Sequence, residues 1–219
     1  MSAPLGLAML AAVAALASGC GAYTSYKHTR LAPPGKTDWL FATQLSGAGT
    51  GTDDNAPVPE LAAGARRRVH ERVDVGVTTT FLPLGPAFTT FSAEGSGKAL
   101  LGRHGRWSAA VGAGAGYRLT YSSGATIEGV HVAAPLILAG DLGRHQLVYS
   151  PTAGYQRLWS TGARPVDVPF AGWSLGFRWQ LNRRWALLPE GTVGYTPARN
   201  FMTEDSRLFH LGVALLLTP

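Results

Sequence analysis

The sequence predicts an all-β protein, an antiparallel up-and-down transmembrane β-barrel of about ten strands. Three observations predict this fold class. The 219 residues include 28 Gly, 14 Pro, 6 Trp, 7 Tyr and 8 Phe, with 15% charged residues, where globular proteins carry about 25%. From Thr37 onward, apolar and polar residues alternate with a period of two. The connections between the alternating segments fall into two classes, one short and basic, the other longer and rich in Gly, Ser, Pro and acids.

The N-terminus ahead of this pattern has the features of an export signal. Residues Leu5 to Gly19 are small and apolar, too short a run for a spanning helix of about 20 residues, and typical of a removed secretory signal. The run Ala17-Ser18-Gly19-Cys20 resembles the lipobox of bacterial lipoproteins, which implies a signal peptide over residues 1–19 and lipidation of Cys20. Ordinary cleavage after Ala17 is the alternative, and it would leave Cys20 as a free thiol.

Residues 20–36 show no period and contain several turn-forming residues. We interpret them as a lipidated tether or linker that leads to a barrel domain over residues 37–219. Because the chain contains one cysteine, an internal disulfide framework is excluded.

Ten strands are predicted in the barrel domain from the alternation. They cover residues 37–47, 59–68, 72–82, 89–102, 106–121, 126–142, 145–159, 169–182, 185–196 and 207–217. In the clearest one, the apolar face runs from Trp107 to Tyr121 with aromatic residues near both ends. The steps from Trp107 to Tyr117 rise about 24 Å in a tilted strand, close to the apolar band of about 25 Å in membrane barrels.

Short and long connections alternate strictly along the chain. The short basic ones are residues 69–72, 103–106, 143–145 and 182–184, and the long ones are 46–58, 83–88, 122–125, 160–168 and 197–206. In outer-membrane barrels the strand number is even, short turns face the periplasm and longer loops face outward. This pattern predicts that both termini are periplasmic.

The pattern over residues 37–217 resembles the small integral β-barrels of the bacterial outer membrane. At the C-terminus, the run from His210 to Leu217 is similar to the signal that the outer-membrane assembly machinery reads: a polar residue, then Gly212, then apolar residues at alternate positions. The resemblance implies a monomer in the bacterial outer membrane, with membrane lipids and the assembly machinery as partners. The role it implies is structural, adhesive or narrow transport.

The face opposite the apolar one carries ionisable residues that would line the lumen. These are Arg66, Asp74, Glu94, Lys98, Arg118, His131, Arg178, Glu190 and His210. A barrel of about ten strands is mostly filled by side chains, and enclosed charges must be paired. We therefore predict a lumen filled by salt bridges, with a narrow conducting path as the less favoured interpretation.

Two other functions fit parts of the sequence. A soluble periplasmic lipoprotein with a lipocalin-like barrel would place Trp107, Trp173, Trp179 and Phe209 inside, whereas a membrane barrel places them against lipid. An outer-membrane lipid hydrolase or acyltransferase would need a nucleophile, a base and an acid close together. The inward-facing residues that could supply them are Ser108, Ser174, His131, His210 and Glu190.

Several other classes of function are not supported by the sequence. The net charge of +6 and pI of 9.8 would suit nucleic acid, but Arg66-Arg67-Arg68 is the only compact basic run. The glycines at 112, 114 and 116 lie within an alternating strand and lack the following helix of a dinucleotide site. We expect them to make room for bulky lumen side chains. No His, Cys and Asp spacing indicates a metal site, so we predict no cofactor, no metal, no nucleic-acid partner and no enzymatic activity.

Overall fold

The computed structural model describes residues 26–50, 53–54, 58–83, 88–122, 125–197 and 206–218. The predicted signal peptide and Cys20 lie outside these residues. The strands are β1 (Thr37–Thr50), β2 (Asp53–Asp54), β3 (Val58–His70), β4 (Val73–Pro83), β5 (Phe88–His104), β6 (Trp107–Ser122), β7 (Ala125–Leu142), β8 (His145–Ser160), β9 (Val166–Gln180), β10 (Trp185–Thr196) and β11 (Ser206–Leu217). No α-helix in these ranges has the length and apolar character that a membrane-spanning helix requires.

Ten of these strands form a closed antiparallel barrel, which confirms the predicted fold class. Each long strand pairs with its neighbours in sequence, and β11 returns to pair with β1 from Trp39↔Leu217 to Thr50↔Ser206. The two-residue strand β2 was not predicted; it pairs with the end of β1. Closure leaves no long strand with an unpaired edge, as a barrel in lipid requires.

Two of the short connections are two-residue turns that begin with glycine. Gly105 and Gly143 have φ angles of 56° and 65°, a region that glycine enters without steric cost. Glycine at the first central position suits the tight turns that match the twist of paired strands. The predicted connection at residues 182–184 begins earlier, because Leu181 and Asn182 already turn back to donate from their backbone N–H groups to Trp185 O.

Large apolar side chains cover the outside of the barrel. Trp107 is 62% exposed, and Trp173, Trp179 and Phe209 also face outward. The lipocalin-like alternative required these four side chains to pack inside, so the structure opposes it. A continuous apolar outer surface has a physical explanation when lipid rather than water surrounds it.

Polar side chains line the inside, as the alternation predicts. The buried ones include Asp74, Lys98, Arg118, His131, Arg178, Glu190 and His210. Arg66 and Glu94 line a cavity within the lumen. All nine ionisable residues predicted to face inward therefore do so.

Candidate functional site: the lumen and the segment inside it

Residues 26–36, which we call the lumenal segment, lie ahead of β1, and their first part is enclosed by the barrel. Tyr26 is 1% exposed, and Thr29 and Ala32 are fully buried. The sequence pattern predicts a tether or linker over residues 20–36 and does not predict that part of this stretch is buried inside the barrel. The segment leaves the lumen through a turn in which Lys36 donates from its backbone N–H to Pro33 O, and it joins β1 at Thr37.

Wall side chains accept hydrogen bonds from the backbone of the lumenal segment. The Lys27 N–H donates to Glu190 Oε2 at 3.1 Å. The N–H of Thr29 donates to Gln146 Oε1 at 3.3 Å, and that of Ala32 to Asp74 Oδ2 at 3.1 Å. A buried segment without secondary structure must find partners for its backbone groups, and here the partners come from β10, β8 and β4.

Lys98 on β5 donates hydrogen bonds to the backbone carbonyl groups of the lumenal segment. Its Nζ atom donates to His28 O at 2.8 Å and to Arg30 O at 2.7 Å. It also lies 3.5 Å from Asp74 Oδ2, within the barrel wall. Lys98 and Asp74 are register partners on β5 and β4, so the ion pair binds backbone groups of three alternate residues, 28, 30 and 32, from one side of the barrel. Each member keeps the other from being a buried unpaired charge.

Side chains of the segment also bind the wall. Thr29 Oγ1 lies 2.6 Å from Ser108 Oγ and accepts from Gln146 Nε2 at 3.1 Å. Lys27 Nζ donates to Thr152 Oγ1 at 3.0 Å. Because backbone and side chains are both engaged, the wall is complementary to this particular stretch of sequence.

The deep end of the segment is Tyr26. Its hydroxyl donates to Gln44 Oε1 at 3.2 Å, and the Gln44 amide donates to Glu60 Oε2 at 2.6 Å. Ser46 Oγ donates to the same Glu60 oxygen at 3.2 Å and lies 3.2 Å from His210 Nδ1. These five buried residues form one hydrogen-bonded network.

His28 lies among cations. Its Nε2 atom is 3.1 Å from Arg66 Nη1, and because a guanidinium can only donate, that nitrogen of His28 accepts. Burial, together with the charges of Lys98, Arg66 and Arg178, lowers the pKa of His28 well below its usual range. His28 is thus neutral in the closed lumen.

A second pair in the wall explains the glycine run of β6. His131 Nε2 lies 3.0 Å from Glu94 Oε2. A Cβ atom at Gly116 would lie 2.4 Å from the His131 ring, and one at Gly114 would lie 2.8 Å from Glu94 Oε1. The expectation that these glycines make room for bulky lumen side chains is confirmed.

The residues proposed for catalysis do not come together as a catalytic group. Ser108 is the register partner of Ala139, and His131 lies eight residues further along β7, which is about 27 Å. Ser174 hydrogen-bonds Glu190, but neither proposed histidine completes the group: His131 pairs with Glu94, and His210 contacts Ser46. A nucleophile–base pair needs hydrogen-bond contact.

The structure does assemble a Ser–His–Glu group that the sequence did not indicate. Ser46, His210 and Glu60 are within hydrogen-bond distance, but Ser46 lies between the other two. In a catalytic triad the histidine must bridge the nucleophile and the acid. This group therefore does not have the arrangement of a catalytic triad, and its hydrogen bonds connect β1, β3 and β11. Ser46 fell in a predicted loop boundary, and only the register of β1 with β3 and β11 places it.

The filled lumen leaves little free volume around the segment. Two cavities beside His28 and Arg66 hold about 30 Å³ and about 20 Å³, enough for one or two water molecules. A larger open cavity of about 560 Å³ lies at the end where β1 begins and β11 ends, between His28, Arg178 and Thr218. Among the described residues, no group of three or more His, Cys, Asp or Glu is placed to hold a metal ion.

Comparisons with known proteins identify the fold. No protein-family profile matches the sequence, and no curated protein is significantly similar to it. The outer membrane protease OmpT from Escherichia coli is similar with a TM-score of 0.52 and 7% identity, over 89% of this chain and 100% of that chain. The COG4313 outer membrane channel from Pseudomonas putida F1 is similar with a TM-score of 0.55 and 9% identity, over 88% of this chain and 97% of that one. At these identities the likeness is one of fold, and functional residues have to be argued from this chain.

Proposed function

We propose that this chain is an integral β-barrel of the bacterial outer membrane whose lumen is closed by its own lumenal segment. Its role is then structural or adhesive, performed by its outer surface and loops. The apolar exterior of Trp107, Trp173 and Trp179 and the shared fold with two outer-membrane proteins support the location. The single observation that carries the closure is the binding of the segment's backbone by Glu190, Gln146, Asp74 and Lys98.

The same barrel could instead carry narrow transport, and the lumenal contacts weigh against that role. Lys98 and Asp74 bind the segment through buried hydrogen bonds, so any path would require several of these bonds to break together. Each unsatisfied buried group costs about 1–3 kcal/mol. A resting barrel closed in this way does not conduct.

The orientation follows the connection lengths. We place the short basic turns, with Gly105 and Gly143, on the periplasmic side, and the longer connections at the cell exterior. The lumenal segment then leaves the barrel towards the periplasm. An adhesive role would use the opposite, outward loops, since loops on a rigid scaffold carry most recognition. Contact with the assembly machinery through residues 210–217 stays a prediction.

We propose that the barrel has no hydrolase activity. The separation of Ser108 from His131 and the bridging position of Ser46 support this. The likeness to a protease is at 7% identity and carries no catalytic residue to this chain. Purified protein incubated with phospholipid should release no fatty acid, and turnover that Ser174→Ala or His131→Ala abolishes would contradict the proposal.

The closure is tested by conductance. The full chain in a planar phosphatidylcholine bilayer should show no steady current, whereas Lys98→Met, which removes the donors to His28 O and Arg30 O, should produce frequent opening events. Lys36→Met is the matched control, because it removes the same charge from the exposed end of the segment and should stay closed.

Folding of each variant is checked by its altered migration on unheated gels. A folded wild-type barrel with a steady open current would contradict the proposal. Equal behaviour of Lys98→Met and Lys36→Met would also contradict it, because Lys98 would then have no part in the closure.

A further inference from the structure

The cavity of about 560 Å³ at the β1 end of the barrel is lined by four arginines from four different elements. Arg30 belongs to the lumenal segment, Arg144 to the turn between β7 and β8, Arg178 to β9, and Arg183 to the turn between β9 and β10. Within the described residues, the lining contains one carboxylate, that of Asp38. Four positive charges against one leave a net charge of +3 around this space.

The one carboxylate is already engaged. Thr218 Oγ1 donates to Asp38 Oδ1 at 2.6 Å. Just beyond the lining, Asp141 Oδ1 lies 3.3 Å from Arg30 Nη2 and accepts from Gln146 Nε2 at 3.0 Å. Even when Asp141 is counted, the site keeps a net charge of +2. The described carboxylates therefore do not neutralise the arginines.

Arg178 is the residue that distinguishes this cavity from an ordinary basic surface. Its side chain is 7% exposed. Nη1 donates to Gln180 Oε1, but the buried Nε–H has no hydrogen-bond partner among the described residues. Burying a charged donor without a partner costs more than leaving a neutral one unpaired. An anion in the cavity would instead compensate the charge of this buried guanidinium.

We propose that this cavity is an anion-binding site for a phosphate group. Guanidinium groups present paired donors that match phosphate oxygens, and charge-assisted bonds of this kind are the stronger hydrogen bonds in proteins. The volume falls in the range of about 300–1,000 Å³ for small-ligand pockets. Leu31, Pro33 and Leu181 also line the cavity, so the site accepts a phosphate that carries an apolar group.

The proposal rests on the proposed closure, since Arg30 and His28 reach the cavity only with the lumenal segment inside the barrel. The phosphate could come from a soluble phosphorylated compound or from a phospholipid headgroup of the adjacent leaflet. Both present the same phosphate oxygens to Arg178 and Arg30. Changing the lipid around the protein distinguishes them.

Inorganic phosphate binding to the full chain tests the site. In phosphatidylcholine nanodiscs at pH 7 and constant ionic strength, calorimetric titration should show saturable binding to one site. Arg178→Gln should weaken it about tenfold or more, as expected for loss of a charged hydrogen-bond donor. Arg103→Gln removes an exposed arginine at the same end of the barrel but outside the cavity, and it should leave the affinity within about twofold.

Absence of saturable phosphate binding, or equal losses in Arg178→Gln and Arg103→Gln, would overturn the proposal. If wild type fails to bind phosphate and still does not conduct, only the anion site is lost and the closure stands. Repeating the titration in nanodiscs that contain phosphatidylglycerol identifies the source of the phosphate. Weaker phosphate binding in this lipid would identify a phospholipid headgroup as the ligand, and unchanged affinity would identify a soluble phosphate. Both results support the anion site.

Discussion

Single glycines determine how closely the lumenal segment approaches the wall. A Cβ atom at Gly212 would lie 2.3 Å from the Tyr26 hydroxyl and 2.9 Å from Gln44 Cβ. The position therefore allows Tyr26 to join the network of Gln44 and Glu60. Gly176 also faces the lumen, but a Cβ there would meet its nearest atoms at 3.4 to 3.6 Å, which is ordinary contact.

Gly212→Ala should displace Tyr26 and destabilise the closed lumen by about 1–3 kcal/mol, the usual cost of overpacking. The variant should fold into a barrel but conduct intermittently in a planar bilayer. Gly176→Ala is the control at a lumen position with space for the methyl group. If the two variants conduct equally, the contact between Tyr26 and Gly212 does not contribute to closure.

His28 makes the closure sensitive to acid. Its pKa is lowered in the lumen by burial and by the facing cations Lys98, Arg66, Arg178 and Arg30. The carboxylates that line the cavities beside it are Glu94, Asp38 and Asp74, the last of which is bound to Lys98. When the segment is released, His28 returns towards its ordinary pKa of about 6.5, so the released state binds more protons. Stability of the closed state is therefore full above about pH 6.5 and falls as the pH drops below it.

Wild-type conductance should accordingly be absent at pH 7.5 and appear as the pH falls towards 5. His28→Gln retains an acceptor for Arg66 but does not titrate, and its conductance should be the same at both pH values. A wild-type barrel that stays closed at pH 5, or a His28→Gln variant that opens with acid like wild type, would show that His28 is not the responsive group.

At the scale of elements, the period-two alternation predicts all ten barrel strands, because residues facing lipid and residues facing the lumen must differ in polarity. The run from Trp107 to Tyr121 contains this signal in its plainest form. The bounds differ by a few residues where strands extend beyond the apolar band, as in β1, which continues to Thr50.

The lumenal segment could not be predicted in the same way. Its backbone is bound by side chains of Glu190, Gln146 and Asp74, which are distant in sequence, and an extended stretch bound through its backbone leaves no period in its own residues. The short polar run from Tyr26 to Thr29 therefore looks like a linker. The basic cavity was equally hidden, since Arg30, Arg144 and Arg178 converge only when the barrel closes.

A substitution of Cys20 tests the predicted lipid anchor separately from the folding of the barrel. We predict that Cys20→Ser abolishes incorporation of labelled fatty acid, because the thiol is the acylated group in the lipobox resemblance. The variant should still show heat-modifiable migration, since the described contacts with the wall begin at Tyr26. Persistent labelling of Cys20→Ser would refute the lipid anchor.

For the whole molecule, the two surfaces have opposite chemistry and together define its environment. The outside presents Trp107, Trp173, Trp179 and other apolar residues, and the inside buries charged and polar groups. This inversion of the usual arrangement is stable only in lipid. Brominated phospholipid should therefore quench most of the tryptophan fluorescence of the reconstituted protein, whereas fluorescence that only an aqueous quencher reduces would contradict a membrane location.

A site-specific disulfide would show whether the lumenal segment lies inside the closed barrel. Thr29 Oγ1 and Ser108 Oγ are 2.6 Å apart, so Thr29→Cys with Ser108→Cys, in a Cys20→Ser background, should form a disulfide on mild oxidation of the folded protein. Thr29→Cys with Thr120→Cys is the control, because Thr120 faces the same lumen from β6 but lies about 40 Å further along the strand. We predict cross-linking of the first pair alone, seen by mass spectrometry. No disulfide in the first pair, or equal cross-linking in both, would contradict the enclosed segment.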